Sequence, residues 1–423
     1  MKHNRVLLLL GIVLTACSSS LGLESLSAPQ YPFPQHVSYA ANTIKPNNYS
    51  QIVQDQDVKN FYNIWKTRYV VRTGQSLNNI PLYRIAFGKV GSANRVFTVS
   101  EGQGYGMVIL PLMSGYDANA QAIFDGLWMF SRANPSSIDT RLMGWKVPSE
   151  SPNSAFDGDA DIAYGLLLAD KQWGSSGRIN YLQEAKTVIQ AIRESTLGPV
   201  SKLPRLGDWA RDLDDPSMYD QFSPRSSDFM PAHFRAYGRA TGTVSYWNQV
   251  VKATQVVSTT IQQNFSSTTG LLPDFISSTC PSTAYCPAPD YFLEGPNDDS
   301  YYYNAGRDPM RLGMDALLNS NGTSKAQVRK MSLWIKTKAS GLPANIKAGY
   351  ALDGTPLPDG NYSSTFFIAP FGVAAMVVPS QQAWLNSIYS AVRATHEDYY
   401  QDSVNLLCLL VMTGNYWDPT TIQ

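Results

Sequence analysis

Helical patterns recur along most of this 423-residue chain, and they limit the folds that it can adopt. Apolar residues return at the three- and four-residue spacing of helices with one buried face in a series of segments that we predict to be helical. The segments are residues 57–70, 104–113, 116–132, 158–173, 179–193, 228–241, 244–265, 308–319, 323–339, 364–378, 381–393 and 399–413. No change in composition divides this series, so we predict one all-α domain over residues 50–423. Periodicity alone does not choose among the ways of packing twelve such helices.

Two stretches between these helices are longer than a connection in a compact domain requires. They are residues 199–227 and 270–304, and acidic and aromatic residues gather in both. Loops on a rigid scaffold are frequent positions for binding and catalytic groups. We therefore expect the two loops to form a functional face.

The overall composition argues against several classes of partner. Acidic and basic residues balance at 33 each, so a nucleic-acid partner is not expected. The aromatic content of 12% fits both a large core and a protein that stacks rings against a flat ligand. Cysteine and histidine are too few and too scattered for a zinc site, and we predict neither a metal nor a cofactor.

The N-terminus has the parts of a secretory signal. Lys2 and Arg5 precede the apolar run 6–14, which is too short to span a bilayer, and small residues lead to Cys17. Leu14-Thr15-Ala16-Cys17 resembles a bacterial lipobox, which implies a signal peptide over 1–17 and a lipid on Cys17. An ordinary signal with an incidental cysteine is the alternative. Ser18 favours the outer membrane, and residues 18–49, rich in Ser, Pro and Asn, are expected to form a flexible tether.

The other three cysteines have separate interpretations. Cys280 and Cys286 are six residues apart in a loop rich in Pro and Ser, and in an exported protein this spacing predicts a short disulfide. Cys408 lies in the apolar run 404–412, where core packing is expected.

Two motifs carry acidic residues ahead of helical segments. In Asp157-Gly158-Asp159-Ala160-Asp161, capping of the helix by Asp159 or Asp161 is the ordinary interpretation. An EF-hand calcium loop is excluded, because Ile162 and Leu168 occupy the places where Gly and Glu are required. In the second motif, residues 100–107, one glutamate, Glu101, stands beside three glycines that permit close approach to a ligand or to another helix. A capping turn is the alternative for Glu101.

Together these motifs resemble glycoside hydrolase family 8. The resemblance rests on Ser100-Glu101-Gly102-Gln103-Gly104-Tyr105-Gly106-Met107 and on Ala155, Asp157, Gly158, Asp159, Ile162, Ala163, Leu166, Leu167, Ala169 and Trp173. Phe156 departs from the Ser or Thr that is usual there. The resemblance implies an (α/α)6 barrel of about twelve helices and cleavage of β-1,4-linked glucans, xylan or chitosan. It also implies that Glu101 is the general acid and that Asp157 binds the sugar at the cleavage site.

The general base is less obvious. The segment 303–311, Tyr-Asn-Ala-Gly-Arg-Asp-Pro-Met-Arg, resembles the family segment that carries a base aspartate, but Asn304 stands at that place. An amide cannot accept the proton at neutral pH. The chain therefore resembles the branch in which a glutamate ten residues earlier is the base, and that residue is Glu294. A solvated loop glutamate is the alternative, and Asp290, Asp298 and Asp299 are the next candidates for the base.

Further residues are expected to bind sugar. Aromatic rings stack on the apolar faces of sugars, and the candidates are Trp128, Trp145, Trp209, Tyr303 and Tyr400. Trp145 and Trp209 match family segments, whereas Trp128 and Tyr400 fit a core position equally well. Asn304 is counted with the substrate-binding residues. Arg307 is expected to bind substrate or Asn304, while Arg311 and His233 are expected to be structural.

The sequence thus predicts an exported, lipid-anchored and monomeric endo-β-1,4-glycan hydrolase with an inverting mechanism. A β-glucan, either cellulose or a mixed-linkage glucan, is the first expected substrate. Chitosan follows, because the acid-rich loops could hold a polycation. The loss of the base aspartate at Asn304 leaves a non-catalytic glycan-binding lipoprotein as the alternative of another class.

Overall fold

The computed structural model describes residues 26–210 and 219–422. Within these ranges the α-helices are α1 (Gln51–Tyr69), α2 (Ser100–Leu112), α3 (Ala120–Ala133), α4 (Phe156–Trp173), α5 (Tyr181–Ser195), α6 (Pro231–Thr241), α7 (Val244–Asn264), α8 (Asp308–Asn319), α9 (Gly322–Lys338), α10 (Thr365–Met376), α11 (Gln382–Val392) and α12 (Tyr399–Met412). They correspond one to one with the predicted segments, and the largest difference at a helix start is at α1, which begins at Gln51 instead of residue 57. No helix in the described ranges is long and apolar enough to cross a membrane.

The even-numbered helices form a closed inner ring. Each packs against the next, from α2 through α4, α6, α8 and α10 to α12, and α12 packs against α2. Each odd-numbered helix packs on the outside of an even-numbered one. All residues of α10 are buried, as expected for a helix that is apolar on every side. The arrangement is the (α/α)6 barrel that the sequence resemblance implies.

Glycines allow α2 and α4 to approach each other closely. A Cβ on Gly158 would lie 2.5 Å from the backbone carbon of Ser100, and a Cβ on Gly104 would lie 2.9 Å from the carbonyl oxygen of Gly158. Real Cβ atoms do not tolerate such distances. The glycines of both motifs therefore serve helix packing, and they bring the first turns of the two helices side by side.

The aspartates that follow Asp157 connect α4 to other elements. Asp161 accepts hydrogen bonds from both Nη atoms of Arg311, at 3.0 and 2.7 Å, and lies 2.9 Å from Nε2 of His233. Asp159 accepts one from the backbone N–H of Met143 at 2.9 Å. Ala155 is the N-cap residue of α4, and no side chain caps it. The prediction that Asp159 or Asp161 caps the helix is therefore wrong, while Arg311 and His233 have the structural roles expected of them.

Residues 26–49, which we call the N-terminal strap, cross the barrel at the C-terminal ends of the inner helices. Backbone N–H groups of Phe33, Val37 and Ile44 donate to the carbonyls of Ser114, Gly414 and Met376, at 2.7, 2.7 and 2.8 Å. Met376 is the last residue of α10, where carbonyls lack partners within the helix, and Ser114 and Gly414 directly follow the C-cap residues of α2 and α12. This part of the predicted flexible tether is therefore packed on the barrel. The predicted signal peptide, Cys17 and residues 18–25 lie outside the described ranges.

Three small antiparallel sheets lie against the helices. β1 (Val70–Leu77) pairs with β2 (Ile80–Ile85), β3 (Thr98–Val99) with β4 (Lys146–Val147), and β5 (Ile276–Ser277) with β6 (Cys286–Pro287). The β1–β2 hairpin packs along α3 with its turn toward the strap. β3 leads directly into α2. The structure contains the expected disulfide, Cys280–Cys286, with the two Cα atoms 5.9 Å apart, at the end of the β5–β6 hairpin. Cys408 is buried in α12.

The two long loops share a small hydrophobic cluster that is separate from the barrel core. We call it the loop cluster. Its buried members are Leu206, Ala210, Phe275, Ala288 and Phe292, with Trp209, Tyr219 and Leu293 packed against them. The cluster joins the loop before α6 to the loop before α8 and gives both a support of their own.

Candidate active site

A cleft of about 550 Å³ lies at the N-terminal ends of the inner helices. Residues from the first turns of α2, α4 and α12 line it together with residues from the loops. The lining includes Phe87, Lys89, Asn94, Glu101, Trp145, Asp157, Arg225, Glu294, Tyr303, Asn304, Asp398, Tyr399 and Tyr400. The structure therefore brings Glu101, Asp157 and Glu294 into one cleft.

Glu101 lies in the first turn of α2, with 18% of its side chain exposed. Its carboxyl group accepts hydrogen bonds from the Tyr399 hydroxyl and from Nη1 of Arg307, each at 2.8 Å. Burial raises the pKa of Glu101 to about 7, and the positive charge of Arg307 only partly opposes this shift. A carboxylic acid that keeps its proton near neutral pH is suited to general acid catalysis.

Arg307 lies beneath the cleft, with a fully buried side chain. Its Nη1 also donates to Asp157 at 2.8 Å, and its Nη2 donates to the Ser227 hydroxyl at 2.7 Å. Of the two partners expected for Arg307, the structure confirms Asn304, whose Oδ1 accepts from Nη2 at 3.3 Å. The contact of Arg307 with substrate stays a prediction, and its guanidinium is enclosed by these protein partners. It holds the Glu101 and Asp157 carboxyl groups together.

Asp157 differs from Glu101 in its protonation. Burial acts to raise its pKa, but the positive charges of Arg225 and Arg307 hold the pKa of Asp157 below its ordinary value. Nη1 of Arg225 lies 3.4 Å from the Asp157 carboxylate. The site therefore keeps one carboxyl group protonated beside another that is ionised, which is how neighbouring acids acquire different roles.

Glu294 reaches the cleft from the loop before α8, with half of its side chain exposed. Nδ2 of Asn304 donates to Oε2 of Glu294 at 2.9 Å, and Nη2 of Arg225 lies 3.5 Å from Oε1. The turn that carries Glu294 is held by Asp298, which accepts from the backbone N–H groups of Leu293, Glu294 and Gly295 at 2.7, 2.9 and 3.1 Å. Asp298, one of the next candidates for the base, therefore has its carboxylate oxygens hydrogen-bonded to the backbone of this turn.

Two further buried acids lie behind the cleft. Burial raises the pKa of Asp228 and of Asp274 to about 7 each. Neither residue lines the cleft. Among the described residues that line it, Glu101 is the acid whose pKa is raised to near neutrality.

The aromatic candidates fall into different environments. Trp145 is 44% exposed and lines the cleft. Tyr303 and Tyr400 line it too, and the Tyr400 hydroxyl donates to the Tyr303 carbonyl at 2.8 Å. Trp128 is 2% exposed and belongs to the barrel core, so it is not a platform for sugar. Trp209 packs edge-on against Tyr219 in the loop cluster, with ring centroids 5.5 Å apart, and its contact with substrate stays a prediction.

Sequence reasoning missed Arg225, Tyr399 and Asp274. Arg225 and Tyr399 have no local pattern that separates them from other polar loop or helix-end residues. Asp274 does have one, since it is the single charged residue in the apolar run 271–276. A carboxylate in such a run is costly to bury unless it accepts hydrogen bonds, so the run itself indicated a structural or functional role.

Comparisons with known proteins agree with this geometry. The profile of the glycosyl hydrolases family 8 matches residues 39–414. The chain is 42% identical over 399 residues to a beta-glucanase of Niallia circulans, covering 93% of each protein. It is 40% identical over 412 residues to an endoglucanase of Bacillus sp. strain KSM-330, covering 95% of this chain and 85% of the relative. The apo structure of a beta-1,3-1,4-glucanase from Paenibacillus sp. X4 has a TM-score of 0.86 and 43% identity, covering 92% of this chain and 100% of that chain.

Proposed function

The chain belongs to glycosyl hydrolase family 8, and from that premise we propose that it cleaves internal β-1,4 linkages of a β-glucan with inversion, Glu101 acting as acid and Glu294 as base. The observation that carries the proposal is the pair itself. One cleft holds both the buried carboxylic acid Glu101, with a pKa of about 7, and the half-exposed Glu294 on the loop before α8. Inverting hydrolysis needs one group of each kind.

The reaction follows from these positions. Glu101 donates its proton to the leaving glycosidic oxygen. The Glu294 carboxylate takes a proton from a water molecule, which attacks the anomeric carbon from the opposite face. Asp157, ionised between Arg225 and Arg307, accepts hydrogen bonds from the hydroxyls of the sugar at the cleavage site and favours its distortion toward the transition state.

The separation of the two glutamates bears on the stereochemistry of the reaction. Glu101 and Glu294 are linked through Arg307 and Asn304. An inverting pair must leave a water molecule between base and sugar, which corresponds to carboxyl groups about 6.5 to 9.5 Å apart. Two intervening side chains are compatible with such a separation.

A β-glucan is the substrate class that the relatives favour, since proteins 40 to 43% identical to this chain are named as an endoglucanase, a beta-glucanase and a beta-1,3-1,4-glucanase. The charges in the cleft agree. Lys89 and Arg225 line it together with the carboxylates, so a polycation such as chitosan would meet positive as well as negative groups.

The test is release of reducing ends from mixed-linkage β-glucan, cellulose, xylan and chitosan by the wild type and by Glu294→Gln. We expect β-glucan to be cleaved with the α anomer as first product in proton NMR. Glu294→Gln should lower turnover by about 10²- to 10⁴-fold, because a general base is lost, and should leave substrate affinity largely unchanged. The non-catalytic alternative predicts binding without release from any of the four glycans.

Glu194→Gln is a matched control. Glu194 is also half exposed and also accepts from an amide and a guanidinium, Gln190 at 2.8 Å and Arg141 at 2.7 Å, but it lies outside the cleft. Its replacement should leave turnover unchanged. First release of the β anomer would contradict inversion, and near-wild-type turnover of Glu294→Gln would show that another group is the base.

The sequence also supports a proposal about location. We propose that residues 1–17 direct export, that a lipid on Cys17 attaches the protein to the outer membrane, and that the enzyme acts as a monomer. One chain supplies every residue of the pair and its supports. Labelled fatty acid should enter the wild type and not Cys17→Ala, and sedimentation of the protein without residues 1–17 should give the mass of one chain. A wild type that takes up no fatty acid would contradict the anchor.

A further inference from the structure

The side chain of Asn304 is hydrogen-bonded on both sides of its amide. Its Nδ2 donates to Oε2 of Glu294 at 2.9 Å and to Oδ2 of Asp274 at 3.3 Å. Its Oδ1 accepts from Nη2 of Arg307 at 3.3 Å. An amide nitrogen carries two hydrogens, and both are donated to carboxyl oxygens. With acceptors on the side of Nδ2 and the Arg307 donor on the side of Oδ1, the amide has one favourable orientation.

Asp274 holds the same residue through the backbone. Its Oδ1 accepts from the N–H groups of Tyr302 at 3.0 Å and Ala305 at 2.7 Å, and its Oδ2 accepts from the N–H of Asn304 at 3.0 Å. The side chain of Asp274 is fully enclosed, with the whole residue 2% exposed. One buried carboxyl group thus accepts from the backbone N–H groups around Asn304 and from the side-chain amide of Asn304.

We propose that Asp274 is a positioning residue for the hydrolysis: it orients the Asn304 amide so that an N–H is delivered to Glu294. This inference rests on the proposed role of Glu294 as base. Through Arg307 the same amide belongs to a continuous chain of hydrogen bonds, Glu101–Arg307–Asn304–Glu294.

The proposal gives a reason for the amide at position 304, where the family segment that residues 303–311 resemble carries a base aspartate. An aspartate at position 304 would add a third carboxylate in contact with both Asp274 and Glu294. Carboxylates at such distances cannot all ionise at neutral pH. Asn304 instead donates to both and still accepts from Arg307, so the departure from the family pattern is a working part of the site.

Asp274→Asn tests the proposal. The new amide places an NH₂ group against N–H donors, so the Asn304 amide is expected to turn and its N–H to leave Glu294. Turnover should fall by about 10- to 100-fold, and the acidic limb of the kcat/KM profile should move to higher pH by roughly one unit, because the base loses a donor to its ionised form. The alkaline limb, which depends on Glu101, should not move.

Two further variants separate positioning from folding. Asn304→Ala removes the donor and leaves the backbone bonds of Asp274 in place, so the same limb should move by a similar amount. Asp418→Asn is the control for loss of a buried carboxylate outside the cleft. Asp418 accepts from the backbone N–H of Thr420 at 2.8 Å and is paired with Arg239. The neighbouring Trp417 packs on Tyr31 of the strap. Asp418→Asn should lower the melting temperature without moving either limb.

The outcomes are distinguishable. An even loss of rate at every pH in Asp274→Asn would show a purely structural role and overturn the proposal. If that variant does not fold, an unmoved acidic limb in Asn304→Ala overturns it instead. Near-wild-type activity of Glu294→Gln would contradict the proposed function itself, which is a separate result.

Discussion

The two halves of the reaction are built on different parts of the molecule. Glu101 and Asp157 come from the first turns of α2 and α4, two inner helices that pack backbone to backbone at Gly104 and Gly158. Glu294 and Asn304 come from the loop before α8. That loop is held by the loop cluster, by the turn around Asp298 and by the Cys280–Cys286 disulfide.

The difference matches what each group has to do. An acid that keeps its proton near neutral pH needs enclosed and fixed surroundings, and the barrel wall supplies them. A base that activates water has to meet water, and a half-exposed loop position allows this. We call the α2–α4 contact that carries Glu101 and Asp157 the barrel side, and the loop before α8 the loop side. We therefore expect changes at the α2–α4 contact to alter stability and activity together, and changes on the loop side to alter activity more than stability. Changes in the barrel core farther along the helices should alter stability alone.

Among the variants that test this comparison, the largest combined effect on stability and activity is expected from Gly158→Ala. Its Cβ would lie 2.5 Å from the backbone carbon of Ser100, so α2 and α4 must separate. Such overpacking costs about 1 to 3 kcal/mol of unfolding free energy. Displacing Glu101 by a fraction of an ångström should lower turnover by about tenfold or more. Thermal unfolding and kcat measured on the same preparation would give both quantities.

Gly177→Ala is the control for this change, because a Cβ on Gly177 has open space around it. It should leave both quantities unchanged. A Gly158→Ala variant with normal kcat and a lowered melting temperature would contradict the expectation that the α2–α4 contact affects stability and activity together.

The alkaline limb of the kcat/KM profile should depend on Glu101, which belongs to the barrel side. Burial raises the pKa of Glu101 to about 7, so the active, protonated acid persists up to that pH and is lost above it. We expect kcat/KM to fall about tenfold per pH unit above the limb. The Tyr399 hydrogen bond lowers the pKa of Glu101, so Tyr399→Phe should move the limb to higher pH.

A loop-side variant sharpens this measurement. Asp298→Asn should loosen the turn that carries Glu294 and lower the rate, while the alkaline limb stays where it is. Movement of that limb in Asp298→Asn would show that the two sides are not independent.

The barrel side was the more predictable from sequence. Helical periodicity located all the helices, and the glycine-bearing motifs located Glu101 and Asp157, because both are local patterns. The orientation of Arg307 was not predictable, since spacing alone does not tell whether a side chain at a helix start points into the cleft or beneath it. The strap was misjudged because its composition suits a tether, whereas its backbone N–H groups meet carbonyls at and just after the helix ends.

On the loop side, the choice of Glu294 as base depended on the resemblance to the family. Glu294, Asp290, Asp298 and Asp299 all lie in one non-periodic stretch, and nothing local separates a base from a residue that binds backbone N–H groups. Arg225 escaped notice because its role arises only where the two long loops meet. Contacts between distant loops leave no period in the sequence. Asp274 differs, because its place in the apolar run 271–276 was a local signal that was overlooked.

The smallest effect is expected from removal of the disulfide. This variant allows the most direct comparison of the loop side with the barrel. The bond closes a short loop, which limits its stabilisation to about 2 kcal/mol on the chain-entropy model. Replacing both Cys280 and Cys286 by Ser should widen the range of conformations open to the β5–β6 hairpin and hence to the loop that carries Glu294. We expect a few-fold loss of kcat with little change in melting temperature.

Cys408→Ser, a buried change on the barrel helix α12, should do the reverse and lower the melting temperature with kcat nearly unchanged. If the double serine variant instead loses stability and keeps its kcat, then the hairpin supports the fold rather than the position of Glu294. In that case the loops do not tune the base independently of the barrel that carries the acid.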